Sequence, residues 1–150
     1  IIAFYKNDYQ KALFYYKKAL NINPKASDIL FCLGVYYHTQ GNYTQAISHY
    51  KKALTINKFN ISAINNLAVI HYQMGYKNFA ISEFNKIVRI NKNIPQVYYN
   101  LAEINESNKN YQMAINFYKK TINLDPNCDI AKDRLKKTNT LYRYSLLHHE

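Results

Sequence analysis

Histidine and cysteine are the residue types in this chain that could bind a metal ion or attack a substrate. No two of them share a helix face with a carboxylate at the spacing of a zinc site, and the cysteines lack CxxC spacing. No serine stands at a triad-like spacing from a histidine and an acid, and three glycines are too few for a phosphate-binding loop. The 150 residues therefore predict no catalytic residue, metal site or cofactor. The side chains concerned are His38, His49, His71, His148, His149, Cys32 and Cys128.

The net charge is the next feature with chemical consequences. Lys and Arg number 20 against 9 Asp and Glu, which gives +11 and suggests a polyanion such as nucleic acid as a partner. However, 20 Asn and 16 Tyr accompany the lysines, and all three residue types have A/T-rich codons. We therefore interpret the basic residues as a solvated outer face and keep nucleic-acid binding as the alternative. This face includes Lys51, Lys52, Lys119 and Lys120.

A 34-residue repeat determines which elements position the remaining candidate residues. One column holds alanine in four successive units, and the column four residues later holds an aromatic residue in each. A third column holds leucine followed directly by a small residue. Such a period is typical of stacked structural repeats, each of which buries its apolar face only against a neighbour. The columns are Ala12, Ala46, Ala80 and Ala114; Tyr16, Tyr50, Phe84 and Tyr118; and Leu33 with Gly34, Leu67 with Ala68, and Leu101 with Ala102.

These columns resemble the tetratricopeptide repeat (TPR), in which a leucine, a small residue, a tyrosine, an alanine and an aromatic residue recur at fixed positions. The resemblance implies an all-α fold, a right-handed superhelical array of antiparallel helix hairpins. It implies a partial unit at 1–26, whole units at 27–60, 61–94 and 95–128, and a capping helix with a tail at 129–150. The match runs through Leu33, Gly34, Tyr37, Ala46 and Tyr50, whereas Leu30, Ile64 and Tyr98 replace the family's tryptophan.

Turn and boundary residues agree with this division. Gly41 and Gly75 follow the first helices of their units, where a left-handed residue is favoured, and the three prolines lie at unit boundaries. Beyond residue 128 one apolar stripe opposite a lysine-rich face predicts a single amphipathic helix that ends the array. The prolines are Pro24, Pro95 and Pro126, and the stripe is Ala131, Leu135, Thr138 and Tyr142.

The candidate binding residues lie on the first helix of each unit. At about 100° per residue the core positions of that helix occupy one arc, and in this family the opposite arc lines a concave groove. That arc carries amides, aromatic residues and acids but no Lys or Arg, because no basic residue lies in 27–40, 61–74 or 95–108. The cation clamp with which some members of the family bind acidic C-termini is therefore disfavoured, and the acids favour basic residues in the ligand. We predict a peptide-binding groove formed by Asp28, Phe31, Asn65, Asn66, Val69, Tyr99, Asn100 and Glu103.

Two of these residues are similar to a known peptide-binding pattern. The segments around Asn66 and Asn100 resemble repeats of O-linked N-acetylglucosamine transferases, in which an asparagine before Leu-Ala recurs along the groove. The resemblance implies a ladder of solvent-facing amides that binds a peptide backbone, because an amide offers both a donor and an acceptor. Cys32 interrupts the ladder, and chance placement of two among 20 Asn is the alternative.

The predicted function is a protein-interaction scaffold that binds an extended peptide or a helix in the groove and has no catalytic activity of its own. The alternatives are the substrate-targeting arm of an O-linked glycosyltransferase whose catalytic domain lies elsewhere, and an RNA-binding helical repeat. Because the chain opens at Ile1 within a helical pattern, we expect a piece of a longer protein. We expect a protein or peptide partner rather than nucleic acid or a membrane. No apolar run approaches a membrane span and no signal-like start is present, which favours a cytoplasmic or nuclear location.

Overall fold

A computed structural model describes residues 8–148 of the chain. These residues form eight α-helices and no strand, which confirms the all-α prediction. Residues 1–7 of the predicted partial unit, and His149, lie outside the described residues. The helices are α1 (Asp8–Ile22), α2 (Ser27–Thr39), α3 (Tyr43–Ile56), α4 (Ile61–Gln73), α5 (Lys77–Ile90), α6 (Pro95–Ser107), α7 (Tyr111–Leu124) and α8 (Asp129–Leu147).

Three turns that follow a first helix each contain one residue with a left-handed backbone conformation. Gly41 and Gly75 follow α2 and α4 with φ of 71° and 83°, a left-handed conformation that glycine adopts without steric cost. The third turn, after α6, uses Lys109 with φ of 61° instead. Pro95 occupies the first turn of α6, where the missing N–H is not needed. The turns predicted at Gly41 and Gly75 are therefore confirmed.

The chain divides into two compact units, residues 1–74 and residues 75–150, here called the N-terminal unit and the C-terminal unit. The division falls between α4 and α5, inside the predicted repeat 61–94. In the N-terminal unit α2 packs against α1 and α3, and α3 packs against α4. In the C-terminal unit α6 packs against α5 and α7, and α7 packs against α8. Each unit thus contains one whole hairpin, α2 with α3 and α6 with α7.

The core of the N-terminal unit is built around Tyr50 of α3, whose side chain is fully buried. Gly34 of α2 lies against this ring so closely that a Cβ at position 34 would collide with ring atoms Cε1 and Cδ1. Ala46, one turn before Tyr50, is also fully buried. The small residues therefore let the two helices approach until the tyrosine ring fills the space between them.

The core of the C-terminal unit repeats this arrangement around Tyr118 of α7. Tyr118, Ala102 and Ala114 are fully buried in one cluster, which Ala131 of α8 completes. Thr138, one of the stripe residues of α8, is fully buried as well. The amphipathic stripe thus covers α7, which confirms the capping helix. None of the helices in the described part of the chain combines the length and the hydropathy that a membrane span requires.

Candidate functional site

The predicted groove residues of the N-terminal unit lie on α2 and α4. Asp28, in the first turn of α2, is exposed to solvent. Phe31 is half-buried, and its ring centroid lies 5.8 Å from that of Tyr50. Phe31 is therefore partly engaged in the core rather than fully presented to a ligand. The remaining three residues, Asn65, Asn66 and Val69, are half-buried on α4.

Asn66 is bound to the core by a hydrogen bond that the repeat pattern did not predict. Its Nδ2 donates to the hydroxyl of Tyr50 at 3.1 Å. Burial raises the pKa of Tyr50 to about 12, although the bond from Asn66 acts in the opposite direction by stabilising the phenolate. The expectation that this amide simply faces solvent is therefore wrong for Asn66, whose nitrogen has an acceptor inside the protein.

A small cavity of about 140 Å³ lies between α1 and α2 in the N-terminal unit. The predicted groove residue Phe31 forms part of its wall, so the cavity lies on the predicted binding face. The lining is mostly apolar and suits an aliphatic or small aromatic side chain. Tyr16 and Cys32 face each other in this wall: burial raises the pKa of Tyr16, and the charge and hydrogen bonding of Cys32 add to the effect. The lining residues are Ala12, Tyr16, Phe31, Cys32, Val35 and Tyr36.

The predicted residues of the C-terminal unit lie close together on α6. The Tyr99 hydroxyl donates to Glu103 Oε1 at 3.1 Å, and burial followed by the charge of Glu103 raises the pKa of Tyr99. Asn100 is half-buried, and its Oδ1 accepts a hydrogen bond of 2.9 Å from Gln96 Nε2. Tyr99 and Asn100 are thus side by side, with Glu103 one turn further along.

Arg134 of α8 completes this group, and it was missed in the sequence. Its Nη2 lies 3.1 Å from Glu103 Oε1, and its Nη1 lies 3.6 Å from Glu106 Oε1. The other oxygen of Glu106 accepts a 2.8 Å hydrogen bond from the Tyr118 hydroxyl. Glu103 is therefore ion-paired within the chain, and the expectation that it selects basic residues in a ligand is not supported. The available signal was the register itself, because residue 134 stands one 34-residue period after Asn100.

A second cavity, of about 220 Å³, lies beside the same residues. Its wall combines the amino-terminal turns of α6 and α8 with the end of α7. The predicted groove residue Tyr99 lies in this wall beside Gln96, and Ile130 supplies an apolar side chain that is 67% exposed. The cavity therefore offers an apolar surface next to the amide of Gln96. It is lined by Pro95, Gln96, Tyr99, Thr121, Asp125, Cys128 and Ile130.

Other polar residues of the helix interfaces are packing residues. Asn105, in the column of Tyr37 and His71, is buried and donates to the Leu101 carbonyl at 2.7 Å. His49 stacks on Tyr37 with centroids 5.3 Å apart, and burial, aided by Lys52, lowers its pKa. Among the described residues no three His, Cys, Asp or Glu side chains converge as a metal site would require.

Comparison with protein-family models matches TPR models along most of the chain. The "Tetratricopeptide repeat" models match residues 1–26, 15–48, 61–94 and 95–128, and a model described as "TPR repeat" matches residues 36–75. Two of these ranges coincide with the units expected from the 34-residue period. Similarity to the repeats of O-linked N-acetylglucosamine transferases is not shown by these matches. A comparison with curated protein sequences finds no match.

Three of the solved structures that share this fold are described here by their similarity to the chain. MamA is 24% identical with a TM-score of 0.75, over 95% of this chain and 94% of that chain. The first TPR of Spaghetti (RPAP3), bound to the HSP90 peptide SRMEEVD, is 23% identical with a TM-score of 0.73, over 78% and 93%. A chain of the APC/C hetero-tetramer Cut9-Hcn1 is 21% identical with a TM-score of 0.77, over 88% and 27%. The repeat register, the helix hairpins and these matches together show that the chain belongs to the tetratricopeptide repeat family.

Proposed function

We propose that this chain is a protein-interaction scaffold that binds an extended peptide or a helix along its first helices. The observation that carries the proposal is that each unit has a cavity on the predicted binding face. Phe31 contributes to the cavity of the N-terminal unit, and Gln96 and Tyr99 contribute to that of the C-terminal unit. Apolar cavities of this kind suit alternate side chains of a bound peptide.

The chemistry of the binding face favours a neutral, partly apolar ligand. The first helices α2, α4 and α6 carry no Lys or Arg that could bind an acidic peptide. On the C-terminal unit Arg134 pairs with Glu103 and Glu106, which offsets one of the two negative charges that would attract a basic peptide. The structural neighbour Spaghetti (RPAP3) binds the peptide SRMEEVD, which supports peptide binding by this fold. The acidic end of that peptide has no matching cation on these helices, so we expect a different class of peptide here.

Neither alternative has a supporting observation of comparable weight. RNA binding would use exposed lysines such as Lys51 and Lys119, which contact phosphates without reading bases. Binding of that kind is weak and decreases steeply with salt. The role of a targeting arm in a glycosyltransferase would use the same binding face, so it concerns the parent protein rather than the site.

The test is a selection of short random peptides displayed on phage against the wild-type protein, followed by affinity measurements on variants. The Asn66→Ala, Asn100→Ala double variant should weaken a selected peptide by about 2- to 150-fold, which corresponds to the loss of one or two hydrogen bonds. The matched control is the Lys51→Ala, Lys119→Ala double variant, which changes two exposed residues of the second helices and should leave peptide affinity unchanged. Failure to select any peptide, or equal losses in both double variants, would overturn the proposal.

A further inference from the structure

A cavity of about 430 Å³ in the N-terminal unit lies outside the predicted groove. It is formed by the second halves of α1 and α3, the turn after α1 and the first half of α2, and none of the predicted groove residues lines it. Its apolar wall consists of Leu20, Pro24, Leu30 and Ile56. Any ligand of this cavity is therefore distinct from a peptide bound in the groove.

The same positions of the repeat hold two aromatic rings in the C-terminal unit. Tyr98 and Phe117 stand 68 residues, or two periods, after Leu30 and His49. The two rings stack with centroids 6.3 Å apart, and Tyr98 is 7% exposed. The Tyr98 hydroxyl donates to the carbonyl of Lys92 at 2.9 Å. At this position of the repeat a phenol ring is thus held both by its face and by its hydroxyl.

No comparable ring stands beside Leu30 in the N-terminal unit. Leu30 is smaller than tyrosine, and His49 stacks instead on Tyr37, with ring centroids 5.3 Å apart and an interplanar angle of 8°. The counterpart of Tyr37 in the C-terminal unit is Asn105, which offers Phe117 no ring to stack on. The imidazole is therefore directed to Tyr37, and the space next to Leu30 forms part of the cavity.

Lysines lie at both the filled and the open position. Lys120 Nζ is 5.8 Å from the centroid of the Tyr98 ring, which is a cation–π distance. Its counterpart Lys52 lines the cavity together with Lys25. The lining that the structure describes contains no Asp or Glu. Burial, aided by Lys52, lowers the pKa of His49, so the imidazole is mainly neutral near neutral pH. The cavity thus combines an apolar wall with two ammonium groups.

We infer that this cavity binds a small aromatic carboxylate, whose ring takes the place that the Tyr98 ring has in the C-terminal unit. Lys52 lies over the bound ring, as Lys120 lies over Tyr98. The carboxylate is at the end of the ring that corresponds to the Tyr98 hydroxyl. That hydroxyl bonds to residue 92, whose counterpart in the N-terminal unit is residue 24, so the carboxylate meets the next side chain, Lys25.

Titration with phenylacetate and with its neutral analogue phenylacetamide, followed by NMR of the whole chain, tests the inference. Phenylacetate should shift the amide signals around Leu30 and Ile56 with a Kd of about 1–10 mM, the range for a ligand of about ten non-hydrogen atoms. Phenylacetamide should bind about 2- to 5-fold more weakly, because it lacks the charge that pairs with an exposed lysine. Equal affinity of the two probes, or no saturable shift at these signals, would overturn the inference.

Two lysine variants locate the carboxylate. Lys25→Gln should remove most of the difference between phenylacetate and phenylacetamide, because the ammonium group that distinguishes them is gone. The matched control is Lys51→Gln, which changes an exposed lysine of α3 that does not line the cavity and should leave both affinities unchanged. The same loss of discrimination in both variants would show a general effect of net charge and would contradict the site.

A third variant supplies the ring from the chain itself. Leu30→Tyr places a tyrosine at the position of Tyr98, so it should fill the cavity and weaken phenylacetate binding by more than about 10-fold. Its melting temperature should be no lower than that of the wild type, because the added ring occupies existing space. Unchanged binding in Leu30→Tyr would show that the ligand lies elsewhere. A clear fall in melting temperature would show that the cavity does not accept a ring, which would overturn the inference without any ligand.

Discussion

Tyr50 in the N-terminal unit and Tyr118 in the C-terminal unit occupy the same position of the repeat and have nearly the same apolar surroundings. Both are fully buried, and each has an aromatic ring of the first helix at almost the same distance, Phe31 at 5.8 Å and Tyr99 at 5.7 Å. Their hydroxyls differ. That of Tyr50 accepts from the amide of Asn66, whereas that of Tyr118 donates to a carboxylate that is itself ion-paired. The apolar packing of the repeat is therefore the same in both units. The hydrogen-bond partner of each tyrosine hydroxyl depends instead on the residues around it.

The largest expected effect tests the shared half of this comparison. Tyr50→Ala and Tyr118→Ala should each destabilise their unit by about 3–5 kcal/mol, because both remove a fully buried aromatic ring and leave a cavity. Native-state hydrogen exchange of the backbone amides of α3 and of α7 measures each unit separately. A loss in one unit that is several-fold smaller than in the other would show that the two cores are not equivalent.

A smaller effect tests the difference between the hydroxyls. Tyr118→Phe should cost about 1.5–3 kcal/mol, because it removes a hydrogen bond to a charged group. Tyr50→Phe should cost only about 0.5–1.5 kcal/mol, because the half-buried amide of Asn66 then binds water. The same exchange measurement applies. The control is the conservative Phe14→Tyr change on the exposed face of α1, which should leave stability unchanged. Equal losses of stability at the two positions would show that the hydrogen bond of Tyr118 to a carboxylate contributes no more than that of Tyr50 to an amide.

The smallest effect concerns alkaline pH. Burial raises the pKa of Tyr50 from 10.0 to about 12, and burial together with Glu106 raises the pKa of Tyr118. Because the folded state holds these protons more tightly, the stability from each shift is fully present below pH 10 and is lost as the pH rises through the folded pKa. Urea unfolding between pH 9 and 12, about the window set by these values, measures this dependence. The free energy of unfolding should decrease less steeply with pH in each Phe variant than in the wild type. The flattening should be greater for Tyr118→Phe, since Glu106 opposes ionisation there while Asn66 favours it at Tyr50.

The fold was predictable because packing in this chain is repeated, and repetition is visible in a single sequence. The alanine and tyrosine columns and the turns at Gly41 and Gly75 lie where the 34-residue period puts them, and the stripe of α8 lies where its amphipathic pattern predicts a helix. The candidate site was less predictable because helix angles give the direction of a side chain and not its reach. The amide of Asn66 points away from the core arc and still reaches the Tyr50 hydroxyl.

Arg134 was missed for a related reason. The repeat pattern predicts whole units that end at residue 128. However, α8 stands where the first helix of a further unit would, and its sixth position continues the column of Asn100. The pairing of Arg134 with two carboxylates of α6 depends on how α8 packs, which no single column reveals.

The left-handed lysine in the third turn makes this protein easy to improve as an engineered module. Lys109 has φ of 61° and an exposed side chain, where the two earlier turns have glycine. A non-glycine residue in this conformation costs about 1–2 kcal/mol, and the greater freedom of glycine in the unfolded chain returns about 0.4–1 kcal/mol of that. A Lys109→Gly version would therefore be more stable by up to about 1.5 kcal/mol, with every side chain of the binding face untouched. For anyone who wishes to graft new ligand-binding residues onto this array, that turn is the place to gain stability before altering α6.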